Sequence, residues 1–422
     1  MDIYCERVAG LDIGAWELKA CVRTPSRRRG QRHTEIRSFA TTTRGLAQLR
    51  AWLTGERVEL AVMESTGVYW ISVHEALEDH LRRCWVVNAT AVKKVPGRKT
   101  DVSDARWLAE LAEHGLLSPS FVPPRPIRVL RALTRDRARL TQDQSRVAAR
   151  LHAVLHTASI TLAGVASDIL GVSGRAMIEA LIAGERDPQT LAGLARKRLR
   201  NKHDRLVEAL DGHFSDLHTT QCRRLLDQFD FLQAQINDLD TQITDRIDAD
   251  PTLAAARDLL VTIPGVSTRI AEVLCAETGT DMTTFPTPGQ LASWAGLCPG
   301  NHESAGRHYS GRTRNGNRWA RAALGQAAAA AARSHHTYLS ARYHRLAARR
   351  GKKRALLAVA HTILIAAWHM LTRHQPYTDL GPNWHTHHAG NRTRRATRLT
   401  HELKTLGYTA TLTDHHQDQP AT

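Results

Sequence analysis

Four prolines between residues 118 and 128 divide this chain into two parts that obey different periodicities. Proline fixes φ and withholds a backbone donor, so a cluster of prolines ends regular structure. Ahead of the cluster, stretches 8–14, 18–22, 33–39, 58–63 and 84–88 have the short apolar character of strands. Stretches 46–53, 69–81 and 101–114 have helical spacing. Behind it, helical patterns dominate: 129–162, then 206–247, where Leu225, Phe229, Leu232, Ile236, Leu239 and Ile243 recur at helical intervals. An antiparallel coiled coil and an ordinary helix bundle both fit that recurrence. Asp250-Pro251 opens a further helical region reaching to about Arg373, and the polar, histidine-rich remainder reads as a disordered tail.

The expected fold class is therefore α/β plus all-α. Residues 1–122 form the α/β domain, 123–250 a helical or coiled-coil region, 251–375 a helical C-terminal domain and 376–422 the tail. The leading order, three strands, helix, strand, helix, strand, helix, matches a ribonuclease H-like domain.

A formal net charge of +17 requires a partner that offsets self-repulsion, and nucleic acid is the commonest polyanion. A membrane surface is the rival. The longest apolar run, 355–371, contains His361 and His369 and reads as a buried helix rather than a span. Asp2, Glu6 and Arg7 interrupt any signal-peptide core, so a cytoplasmic protein is expected. Of the six cysteines, none are paired at zinc-ligand spacing, and reduced structural thiols are the simpler reading.

Asp12 lies inside the first apolar strand, where a charge is costly without a partner. Glu64 follows the strand at 58–63, and Asp101 and Asp104 share a face at the start of a helix. Singly, each has a plain reading: Asp101 as an N-cap, Asp104 as a complement to the helix dipole, Glu64 as a turn residue. In a ribonuclease H-like sheet, however, all four converge. Each carboxylate pair at ~4 Å and an effective dielectric of ~20 then costs about 4 kcal/mol. A hard divalent cation such as magnesium removes that penalty and can polarise a phosphate.

The segments Gly10-Leu11-Asp12-Ile13-Gly14, Glu64-Ser65-Thr66-Gly67-Val68-Tyr69-Trp70 and Lys99-Thr100-Asp101-Val102-Ser103-Asp104-Ala105 resemble those of the DEDD transposases of the IS one-ten insertion-sequence family, relatives of the Piv-type invertases. Ile263-Pro264-Gly265-Val266, Trp294-Ala295-Gly296-Leu297-Cys298-Pro299 and Gly316-Asn317-Arg318 extend the likeness over most of residues 7–335. The resemblance implies a RuvC-like domain that binds Mg2+ through Asp12, Glu64, Asp101 and Asp104. It implies a helical C-terminal transposase domain with a nucleophilic serine. It also implies a structured noncoding bridge RNA that pairs with target and donor DNA.

The third region adds its own signals. Around Ile263-Pro264-Gly265-Val266 a helix, turn, helix pattern suggests a helix-hairpin-helix, with Gly265 allowing close approach to a DNA phosphate. A plain αα-corner is the alternative. Arg307, Arg312, Arg314 and Arg318 stand in a glycine- and arginine-rich loop suited to gripping phosphates of double-stranded DNA. Counting back from Gly316-Asn317 puts Ser304 at the family's serine position. Ser310, which has glycine directly after it, is the reserve. Because serine and carboxylates lie in separate domains, a homo-oligomer, dimer or tetramer, is expected to complete the enzyme. A site-specific invertase without guide RNA and a non-catalytic nucleic-acid-binding protein are the competing functions.

Overall fold

The computed structural model describes residues 3–26, 31–65, 67–88, 92, 104–300, 302–304, 307–311, 313, 315–384 and 389–409. Contacts divide the chain into two units, Met1–Val122 and Pro123–Thr422. The division falls inside the proline cluster.

The first unit is built on strands β1 (Val8–Ile13), β2 (Glu17–Pro25) and β3 (Arg32–Ala40), helix α1 (Thr43–Gly55), strand β4 (Leu60–Glu64), helix α2 (Trp70–Leu77), strand β5 (Arg83–Val87) and helix α3 (Asp104–Glu113). The sheet order is β3-β2-β1-β4-β5. The first three strands are antiparallel, while β4 runs parallel to both β1 and β5. This mixed sheet is compatible with a ribonuclease H-like domain.

Side chains alternate across a strand, so each face of this sheet receives its own core. Ala9, Leu11 and Ile13 of β1 join Ala61 and Met63 of β4 in a core that contains Leu49 and Leu53 of α1 and Val73 and Leu77 of α2. Val8, Leu60 and Val62 face the other way, against Ala105, Leu108, Ala109 and Ala112 of α3. Burial on both faces explains why these strands read as nearly continuous apolar runs. The far end of α3 is fixed by Glu113, which is almost fully buried and accepts from Arg23 Nε of β2 at 2.7 Å, with Arg32 of β3 on its other oxygen.

The second unit is helical: α4 (Arg125–Thr157), α5 (Val172–Ala183), α6 (Pro188–Gly193), α7 (His203–Leu210), α8 (Asp216–Asp248), α9 (Pro251–Val261), α10 (Thr268–Thr278) and α11 (Pro288–Trp294). A hairpin of β6 (His302–Ser304) and β7 (Arg307–Ser310) follows, then α12 (Arg318–Ala331), α13 (Tyr338–Arg350), α14 (Lys352–Arg373) and α15 (Ala389–Thr405).

Helices α4 and α8 lie side by side. Arg137 bonds Asp240 at 2.8 Å, Gln144 bonds Gln233 at 2.9 Å and Arg150 bonds Gln228 at 3.3 Å, so one index falls as the other rises. The pair is antiparallel. On α8 the buried residues Leu232, Ile236, Leu239, Ile243 and Ile247 recur every three or four positions, as one helix face requires. Between the two helices in sequence the chain builds a core of its own, with Leu155 of α4, Ile178 and Leu181 of α5, Leu206 and Leu210 of α7 and Leu226 of α8.

Three expectations are adjusted. The helical pattern over 206–247 is two helices, because Asp211–Ser215 breaks it. Gly212 there lies so close to the chain that a Cβ would sit 2.4 Å from the Ala158 carbonyl oxygen, and Ser215 starts α8 with a capping box completed by His218. The apolar run at 355–371 belongs to the longer α14, which passes the length and composition test for a membrane span. It nevertheless buries Ala355, Val359, Ile363, Leu364 and Ala367, and its Trp368 indole donates to the Phe285 carbonyl at 2.8 Å. Finally, the stretch after residue 375, expected to be disordered, begins with packed residues. Tyr377 N–H donates to Thr262 Oγ1 at 3.0 Å, Asp379 accepts from Tyr338 N–H at 3.0 Å, and Trp384 meets Tyr338 edge to face. Helix α15 lies farther on, with an Arg398–Glu402 pair at i,i+4. Polar composition hid these elements.

Candidate functional site

The first unit gathers its sequence-predicted carboxylates at one end of one sheet face. The parallel register of β1 and β4 pairs Val8 with Leu60 and Gly10 with Val62. Two residues further on, that register brings Asp12 level with Glu64. Both continue the α3-facing series begun by Val8 and Leu60. Asp12 is exposed although its strand is otherwise buried, and Glu64 is half-buried.

Helix α3 carries the third. Its last residue, Glu113, accepts from Tyr4 N–H at 2.8 Å, just ahead of β1. Its first turn presses on Gly10, where a Cβ would lie 2.1 Å from Ala105 O and 2.5 Å from Ala109 N. The helix therefore runs antiparallel over β1, and Asp104 at its N-terminus lies toward the strand end that bears Asp12. Glycine at position 10 is what permits this approach. Asp101 lies outside the described residues. Among those described, no three His, Cys, Asp or Glu side chains are close enough together to hold a metal. The donor chemistry is nonetheless uniform: Asp12, Glu64 and Asp104 offer oxygen alone, the ligand type of hard divalent cations.

The second unit positions the serine hairpin. Ser304 pairs with Arg307 beside the turn, whereas His302 pairs with Ser310 at the open end. Ser304 thus stands at the hairpin tip and Ser310 at its base. Arg312 and Arg314 lie outside the described residues, and Arg318 is exposed at the start of α12.

The base of the hairpin is pinned by two motifs singled out in the sequence. A Cβ on Gly316 would sit 2.2 Å from Gly296 N, so Gly316-Asn317-Arg318 presses against Trp294-Ala295-Gly296. Asn317 N–H donates to Trp294 O at 3.0 Å. Asn317 Oδ1 caps α12 by accepting from the amides of Trp319 and Ala320, both at 3.0 Å, and its Nδ2 donates to Glu277 Oε2 at 2.6 Å.

Glu277 was missed by sequence reasoning. It is fully buried on α10 and bonds Arg135 of α4 twice, at 2.7 and 2.8 Å, with Arg131 Nε at 3.3 Å. Burial pulls the Arg131 guanidinium down to about 10, against the neighbouring Glu277 carboxylate. One turn earlier, buried Glu272 bonds Arg137 at 2.6 Å. The sequence signal was slight: Glu272 and Glu277 share their helix with Arg269, and the arginines that match them stand 135 and 142 residues away on α4.

Gly265 is held by packing as well as by the turn. The turn does adopt φ +88, and Ser267 caps α10 through Ile270 N–H. But a Cβ on Gly265 would lie 2.5 Å from Ala327 O and 2.5 Å from Ala331 N of α12. Its missing side chain makes room for a helix of the same unit.

Two family models match along the chain. One, described as a DEDD transposase, spans residues 9–160, and the other, described as the transposase IS116/IS110/IS902 family, spans 257–345. The chain belongs to this family of transposases. It is also 28% identical over 305 residues to the insertion element IS900 uncharacterized 42 kDa protein of Mycobacterium paratuberculosis, covering 66% of this chain and 73% of that one. The family generally uses divalent metal ions, and transposases as a class cleave and rejoin DNA. The first match contains the carboxylate face, and the second contains Glu277, the serine hairpin and Asn317.

Proposed function

We propose that this transposase cuts and rejoins double-stranded DNA with a serine nucleophile, Ser304, and a Mg2+-binding carboxylate set of Asp12, Glu64, Asp101 and Asp104. The observation that carries the reading is the shared level of Asp12 and Glu64 on the face toward which α3 delivers Asp104. Nothing in packing alone asks for acids at the ends of two adjacent, otherwise buried strands. Magnesium, when bound, supplies Lewis-acid polarisation of a phosphate and charge stabilisation at the leaving oxygen.

The chain's own residues carry the rest. Ser304 Oγ attacks phosphorus, its proton passes to a base, and the bond from phosphorus to the leaving deoxyribose oxygen breaks. That oxygen takes up a proton. Rejoining reverses the exchange: a deoxyribose hydroxyl attacks, and Ser304 Oγ leaves. The covalent intermediate conserves the phosphodiester, so no outside energy source is needed. Arg307, Arg312, Arg314 and Arg318 neutralise charge gathered on phosphorus. A structured noncoding RNA that selects the DNA, and assembly as a dimer or tetramer, belong to the same proposal.

Supporting Ser304 over Ser310 is its pairing with Arg307 at the end of the hairpin, whereas Ser310 pairs with His302 at the base. The test is to trap the reaction on a nicked suicide substrate and map the DNA-linked peptide by mass spectrometry. The expected adduct is a phosphoserine at Ser304. Attachment at Ser310, or full cleavage with no protein–DNA link, overturns the assignment.

A further inference from the structure

Three guanidinium groups converge on one indole beside the serine hairpin. Arg318 lies 4.6 Å from the Trp319 ring centroid, Arg139 lies 5.6 Å away and Arg135 lies 5.8 Å away. Arg135 and Arg139 come from successive turns of α4, at the i,i+4 spacing that puts side chains on one face. Arg318 comes from the first turn of α12, directly after the Asn317 that anchors the hairpin.

The three cations are not equivalent. Arg135 is neutralised by the buried Glu277. Arg139 and Arg318 are exposed and form no ion pair with an acidic side chain among the described residues. Two like charges gathered on one half-buried ring repel each other. The indole offsets only part of that, about 0.5–1 kcal/mol for each exposed cation–π contact. An anion able to accept from both forks at once would offset more, and a phosphodiester has the matching geometry.

We propose that Arg139 and Arg318, gathered on Trp319, hold a phosphodiester of the DNA strand as it enters the serine hairpin. This makes α4, far from the hairpin in sequence, part of the DNA-binding surface. Glu277 sets it up by holding Arg135 and Asn317 with the same carboxylate, fixing α4 and the hairpin base to one another. The choice of DNA as ligand rests on the proposed strand exchange, but the contact itself is a binding event without chemistry.

The test measures equilibrium binding of the full chain to a DNA duplex across a salt series. Each phosphate neutralised contributes roughly −0.9 to the log-log salt slope, so releasing this one phosphodiester in Arg139→Ala/Arg318→Ala makes the slope shallower by about 0.9. Affinity at ~100 mM salt falls about tenfold or more, uniformly across sequences. Arg139→Lys/Arg318→Lys, which keeps the charges, retains the slope. Thermal melts of the variants monitored by circular dichroism match the parent, since both residues are exposed. An unchanged slope overturns the proposal. So does an equal change in Arg223→Ala/Arg246→Ala, which removes two exposed cations of α8 and reports net charge alone. A loss seen with an RNA duplex and not with DNA also overturns it. Failure to find an adduct at Ser304 leaves this contact standing, whereas an unchanged slope beside a Ser304 adduct defeats the contact alone.

Discussion

Two pairs of acids, Glu272 and Glu277 in the second unit and Asp12 and Glu64 in the first, stand in opposite surroundings. In the second unit Glu272 and Glu277 are buried, and arginines of α4 grip them at 2.6–2.8 Å. In the first unit Asp12 is exposed and Glu64 half-buried, at the ends of strands whose other residues are almost all inside. The difference separates two uses of a carboxylate. A buried acid is tolerable when the fold itself provides the cation, and such a pair then fixes which helices meet. Acids at the end of a sheet contribute little to a core, and their oxygens are the ligand type of hard divalent cations. Glu272 and Glu277 serve architecture, and Asp12 and Glu64 belong to the set proposed above to hold the metal.

The largest effect expected from breaking this contrast is catalytic. Asp12→Ala lowers strand cleavage about 10³-fold or more, the scale of several kcal/mol of lost charge stabilisation. Thermal stability and DNA affinity stay close to the parent, because an exposed side chain is removed. Cleavage assays in magnesium beside filter binding read both. A variant that cleaves normally, or one that simply unfolds, places Asp12 with the architectural acids.

Glu277→Ala should do the reverse. It strands the partly buried Arg131 and Arg135 and releases Asn317, at a cost of about 3–5 kcal/mol on breaking a buried pair. Cysteine alkylation locates the damage. Burial pushes the Cys275 thiol on α10 up to about 12 and the Cys21 thiol on β2 up to about 11. Both therefore resist iodoacetamide at pH 8, where a thiol must be ionised and accessible to react. In Glu277→Ala, Cys275 becomes reactive while Cys21 stays protected. Equal labelling of the two thiols, or none, contradicts a network whose effect stays within its unit.

A smaller effect follows at Gly10. The Cβ of Gly10→Ala meets the α3 backbone, and such overpacking costs roughly 1–3 kcal/mol. Since α3 carries Asp104, cleavage falls together with the first unit's stability, and chemical denaturation followed by both readouts checks the coupling. Stability lost with full activity retained separates α3 from the carboxylate face.

How much of this was legible in the sequence differs between the same two regions. Alternation and β-rich runs placed every strand of the sheet to within a few residues, most clearly β1 and β4, whose two faces meet apolar layers. Asp12 stood out for the same reason: a charge breaks a pattern that nothing else breaks. The network around Glu277 was not legible, since Glu277 and Arg135 are 142 residues apart and each looks like an ordinary polar residue on its helix. Gly265 could be identified as a turn glycine, but not as the point where α12 comes close, because that requires knowing which helix returns. Likewise, Tyr377 and Asp379 looked like tail residues until their partners Thr262 and Tyr338 were known.

The division of labour between the two sets of acids is tested most directly by calorimetric titration of magnesium, with manganese in parallel, into the full chain. The paired variants are Asp12→Asn/Glu64→Gln and Glu277→Gln. The first pair is expected to abolish metal binding while leaving the melting temperature unchanged. Glu277→Gln is expected to bind metal with parental affinity while melting at a lower temperature. Metal binding that survives the loss of Asp12 and Glu64, or that disappears with Glu277, would contradict the account.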